Sequence, residues 1–106
     1  MTWDERVDAI SAHAPGVTDR QAAFLVTVML YAGVCMDRHY CTFAGIAHGR
    51  KTHDFFRWLV VDRGYATAHV CRNNSARVFH IHYKPLYAAI DEPDNRHRKP
   101  TPRNLD

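Results

Sequence analysis

Cysteine is scarce in this chain, and its spacing excludes more than it offers. Cys35, Cys41 and Cys71 cannot all pair, and no two stand in a C-x-x-C spacing, so a disulfide framework is ruled out and the thiols are expected as packing residues. No stretch approaches the roughly 18 consecutive apolar residues of a membrane span. The longest apolar run, Ala22 to Val34, is broken by Thr27 and contains Gly33 near its end. The first residues, MTWDERVDAI, lack the basic start and apolar core of a secretory leader, which predicts a cytoplasmic chain with reduced thiols. No P-loop, G-x-G-x-x-G, paired carboxylates or Ser/His/Asp order is found, so neither catalysis nor a cofactor is expected.

What is there fits one domain. With 106 residues there is no room for a second, and 46% hydrophobic residues against 24% charged ones argue against disorder of the whole chain. The net charge is only +3 but unevenly spread. Asp4, Glu5, Asp8 and Asp19 outweigh Arg6 and Arg20 in the first twenty residues. Basic side chains gather later, at Arg50, Lys51, Arg57, Arg63, Arg72, Arg77 and Lys84, then Arg96, Arg98, Lys99 and Arg103. Such a gradient suits a polyanionic partner.

Periodicity divides the chain into helices and one hairpin. Trp3, Val7, Ile10 and Ala14 mark a helix near 4–13, stopped by Pro15-Gly16. Thr18 and Gln21 form a capping box for a helix near 19–34. That helix is apolar around nearly its whole circumference and must be covered all round, which predicts a homodimer through it. A short helix near 39–47 carries Tyr40, Phe43, Ala44 and Ala47 on one stripe; His48-Gly49-Arg50 then turns the chain, with Gly49 free to take a positive φ. Thr52 is expected to cap a helix near 51–63, whose inward stripe is Phe55, Phe56, Leu59 and Val60. After Gly64 the period becomes 2, giving strands near 65–71 and 77–83. A tight turn at Asn74-Ser75 would pair Val70 with Phe79 and Ala68 with Ile81, and leave His69, His80 and His82 on the open face. Pro85 suits the start of a helix near 85–91, and residues 93–106, basic and with three prolines, read as a flexible tail.

The stretch THDFFRWLVVDRGYATAHVCRNNSARVFHIH resembles the recognition helix and wing of winged-helix transcriptional regulators. The likeness covers roughly residues 18–91. It implies a mainly α winged helix-turn-helix fold with a small β-hairpin, bound to double-stranded DNA in transcriptional, plasmid or mobile-element regulation. It makes residues 50–63 the helix that enters the major groove, which admits one helix. Arg50, Lys51, Thr52, His53, Asp54 and Arg57 would read or hold DNA from that helix. Arg72, Asn73, Asn74 and Arg77 would do so from the wing, and Arg96, Arg98 and Lys99 from the tail.

Two other readings compete. Trp58 and Val61 fall on the supposed reading face, and an aromatic flanked by arginine suits a protein partner, so a winged-helix interaction or accessory module is the alternative. His69, Cys71, His80 and His82 share a strand face and form a weak candidate for zinc, outweighed by their reading as ordinary strand residues with no metal site.

Overall fold

Two capping boxes set the first helices. Thr2 and Glu5 bond reciprocally at the start of α1 (Trp3–His13), and Thr18 and Gln21 do the same for α2 (Asp19–Tyr31). The computed structural model describes residues 1–70 and 77–99. Beyond α2 the chain runs through β1 (Val34–Cys35), α3 (Asp37–Ala44) and α4 (Arg50–Arg57), and a π-helical turn, Trp58–Asp62, prolongs α4. The strands β2 (Ala66–Val70) and β3 (Arg77–Ile81) follow, then α5 (Lys84–Ala89) and a 3-10 turn, Arg96–Arg98. The molecule is therefore mainly helical with a small antiparallel sheet, in the order β1-β3-β2. Among the described residues no helix is long and apolar enough to cross a membrane.

Several expectations need correction. The second helix stops at Tyr31, because Gly33, at φ +77°, turns the chain into a strand that the periodicity did not reveal. The third stops at Ala44, where Gly45 takes the left-handed cap, while Gly49 is extended at φ −176°. Thr52 is not a cap. It is fully buried, with its hydroxyl 3.3 Å from Cys41 Sγ, and Gly49 occupies the cap position. The hairpin is shifted by two residues: Ala66 faces Ile81, Ala68 faces Phe79 and Val70 faces Arg77. Six residues thus separate the paired strands instead of a two-residue turn, and a shift of two preserves the faces because side chains alternate with period 2. Burial on that face is nevertheless incomplete. Ala66, Phe79 and Ile81 are buried, whereas Ala68 and Val70 are exposed.

The core fills the space between the helices and the inner face of the sheet. Ala22, Phe24, Leu25, Val26, Val28 and Met29 of α2 are all buried within this one chain. The cover expected from a second subunit comes from α1, α3, β1 and the 3-10 turn, all of which pack on α2. A run of aromatic rings links the elements: Phe24 to Tyr40 (centroids 5.1 Å apart), Tyr40 to Phe55 (4.8 Å), Phe55 to Phe56 (5.2 Å) and Phe56 to Phe79 (4.4 Å). Tyr87, fully buried on α5, donates its hydroxyl to the Ile81 carbonyl at 2.6 Å and ties α5 to β3.

Residues 93–99, expected as the start of a free tail, instead form a strap across the sheet. Asn95 Oδ1 accepts from the His97 amide at 2.8 Å, and His97 Nδ1 donates to the Met29 carbonyl at 3.0 Å. Gly33 makes this seat possible, since a Cβ there would lie 2.5 Å from the His97 carbonyl oxygen. Gly33→Ala combines that collision with left-handed strain of about 1–2 kcal/mol. It should lower the melting temperature by about 4 °C or more, read by circular dichroism; an unchanged melting temperature would show that position 33 needs neither the left-handed conformation nor the close approach of His97.

Candidate nucleic-acid interface

The amphipathic spacing of α4 turns its aromatic residues inward and its polar residues out. Phe55 and Phe56 are buried, while Arg50, Lys51, His53, Asp54 and Arg57 are exposed. Thr52, the sixth residue assigned to this face, sits at i and i+3/i+4 with the two phenylalanines and belongs to the core stripe. The exposed ridge is flanked by two grooves. One, of about 340 Å³, lies between α4 and the hairpin and gathers His53, Arg57 and Arg77 over a floor that includes Phe56, Val60 and Phe79. The other, of about 610 Å³, lies between α4 and the start of α2, with Lys51 and Asp54 on one wall and Arg20 and Gln21 on the other.

Two of these groove residues escaped the sequence reading. In the sequence Arg20 is one charge among several near the N-terminus, yet in the structure it spans from α2 to donate through Nη1 to the Ala44 carbonyl at 3.1 Å. His48 Nε2 lies 3.0 Å from Asp37 Oδ2, joining the start of α3 to the turn before α4 at the rim of the hairpin groove. Eleven residues separate that pair, and no local spacing announces it.

Trp58 is half-buried. The π turn lets the Arg63 amide reach back to the Trp58 carbonyl at 2.9 Å, and Gly64 at φ +66° closes the end. The indole stacks on Phe55 (6.3 Å, 20° between planes), meets Tyr65 edge-on (5.6 Å) and carries the Arg63 guanidinium 5.8 Å above it. Only Val61 of the two apolar groups questioned on this face is freely accessible, at 67%.

The remaining candidates divide. Arg72, Asn73, Asn74 and Cys71 lie outside the described residues. Arg96, Arg98 and Lys99 are carried by the strap, where Arg98 and Lys99 line a groove with Thr67, His69, His80 and His82. That is the outer face of the sheet, opposite α4. His80 is not an open-face residue. It is 1% exposed, because β3 is the central strand and the strap covers it, and its Nε2 donates to the His97 carbonyl at 2.7 Å. Among the described residues no group of three His, Cys, Asp or Glu has a metal-holding arrangement. The buried Cys35 thiol is pushed up to about 12 by desolvation and then by Asp37, so it stays protonated and unreactive.

No family model, curated protein or solved structure matches this chain.

Desolvation, and then the neighbouring His82 and His69, hold the His80 pKa below its ordinary 6.5, against the raising effect of its bond to His97. The unfolded chain therefore takes up this proton at a higher pH than the folded one. Stability from neutral His80 is complete above about pH 6.5 and declines as the pH falls from there toward the lowered value. The drop in the urea midpoint from about pH 7.5 to about pH 5.5 should be smaller in His80→Gln than in the parent. An equal drop in both would show that other groups govern acid sensitivity.

Proposed function

We propose that residues 18–91 form a winged helix-turn-helix domain that binds double-stranded DNA in a sequence-specific, regulatory role, with α4 in the major groove. The observation that carries this reading is the raised polar ridge of α4, with cations on both flanks: Arg20 and Lys51 on one side, Arg57 and Arg77 on the other. A helix entering a groove about 12 Å wide must protrude and present donors along its outer side. The element order α2, β1, α3, α4, β2, β3, with β3 pairing both other strands, agrees with that architecture. The packing of Trp58 against Phe55 and Tyr65 favours DNA over the alternative of a protein partner, since a half-buried indole offers less to a docking surface. Two copies on half-sites one DNA turn apart would suit such a domain. Tyr31, 76% exposed at the end of α2, is what that helix offers a second subunit.

Fluorescence anisotropy with labelled duplexes at two salt concentrations tests the reading. Affinity should fall steeply with salt, with a log–log slope of about −3 if three or four phosphates are neutralised. Arg77→Glu should weaken all duplexes alike, and Arg57→Ala should act mainly on the preferred one, by about 1–3 kcal/mol. Binding no tighter than about 100 μM at about 50 mM salt, weaker than ordinary nonspecific association, would sink it.

A further inference from the structure

The outer face of the sheet holds a second concentration of positive charge that the α4 ridge does not use. A groove of about 450 Å³ is lined by Thr67, His69, His80, His82, Arg98 and Lys99, with no carboxylate among the described residues that line it. Among the described residues neither Arg98 nor Lys99 has an acidic partner within ion-pair distance, although Glu92 and Asp94 lie on the same strap. Arg98 uses Nε to donate to the Pro93 carbonyl at 3.0 Å, which fixes the guanidinium while leaving its terminal nitrogens as donors. The strap backbone is held at His97 by the bonds to His80 and Met29, so the segment that carries Arg98 and Lys99 is seated beside the groove before any ligand arrives. Preorganised donors lose little freedom on binding.

We propose that this groove is a phosphate-binding site, in which Arg98 and Lys99 hold the anion from the strap while Thr67, His69 and His82 donate from the strands. The charge pattern selects an anion over a metal ion, because two permanent cations repel a divalent cation from the imidazoles beside them. Phosphate fits better than a carboxylate. It offers several acceptor oxygens to donors converging from three segments, and guanidinium geometry matches it. The site goes beyond the α4 reading and stands on the opposite face of the sheet. Its phosphate could belong to a small phosphorylated ligand or to a nucleic-acid backbone.

The test titrates isotopically labelled full-length protein with inorganic phosphate, then pyrophosphate, at constant ionic strength. Saturable shifts confined to the amides of residues 67, 69, 80, 82, 98 and 99 are expected. The double variant Arg98→Gln/Lys99→Gln should bind about tenfold or more weakly, as loss of charge-assisted bonds implies, with an unchanged melting temperature. His69→Gln, on the other wall, should weaken binding as well. The same double variant then identifies the source. A duplex-binding salt slope reduced by about two assigns the site to the DNA backbone, whereas an unchanged slope with phosphate binding lost assigns it to a free phosphorylated ligand. Shifts that never saturate, shifts spread evenly over all basic residues, or a double variant that binds phosphate like the parent would overturn the proposal. Failure of duplex binding in Arg57→Ala would bear on α4 alone and leave the phosphate titration unaffected.

Discussion

The place of α4 depends on one continuous run of aromatic contacts. Phe24, Tyr40, Phe55, Phe56 and Phe79 touch in sequence and join α2, α3, α4 and β3, with neighbouring centroids 4.4–5.2 Å apart. Each such pair contributes about 0.5–1.5 kcal/mol beyond burial alone. Because Phe55 and Phe56 are adjacent on α4, one reaches back to α3 and the other forward to the sheet, which fixes the helix about its own axis. Its polar residues are then left with one direction to face. The ridge is a consequence of the core, and Thr52 on Cys41 adds a polar pin on the same inward side.

A small domain rarely covers both faces of its sheet, and here the strap does so with few residues. Pairing β1 with β3 makes β3 central, so Phe79 and Ile81 face the helices while His80 faces the strap. A buried imidazole is costly unless satisfied. Its bond to the His97 carbonyl satisfies it, and His97 in turn bonds to α2 through Met29. The same chain of bonds supports the α2 terminus, covers the central strand and carries Arg98 and Lys99 over the outer groove. The two cationic faces therefore rest on different supports: aromatic packing beneath α4, histidine-to-carbonyl bonds beneath the strap.

Local patterns in the sequence were enough to find most elements. The capping boxes, the stripe of Phe55 and Phe56 and the switch to period 2 after Gly64 each depend on residues within one turn or one strand, and they gave the helices and the hairpin nearly in place. What failed depended on distant partners. Val34–Cys35 is too short to show a period, yet its pairing makes β3 the central strand, and His80 on its outer face is buried beneath the strap. The hairpin register slipped by two because alternation is blind to even shifts. The strap was unreadable because its anchors are a backbone carbonyl of α2, a buried histidine and a glycine without a side chain. Within the candidate site, the exposed charges of α4 were legible from helical spacing, whereas the nearness of Arg20 to Lys51 and of Arg77 to Arg57 depends on tertiary packing.

The central claim, that the polar ridge of α4 is the surface that meets nucleic acid, is tested most directly by mapping amide chemical shifts as a short mixed-sequence duplex is added. The account predicts the largest changes along Arg50–Arg57 and at Arg77, with Arg20 affected and α1 and α5 silent. Changes centred on α1 or α5, with α4 unmoved, would contradict it.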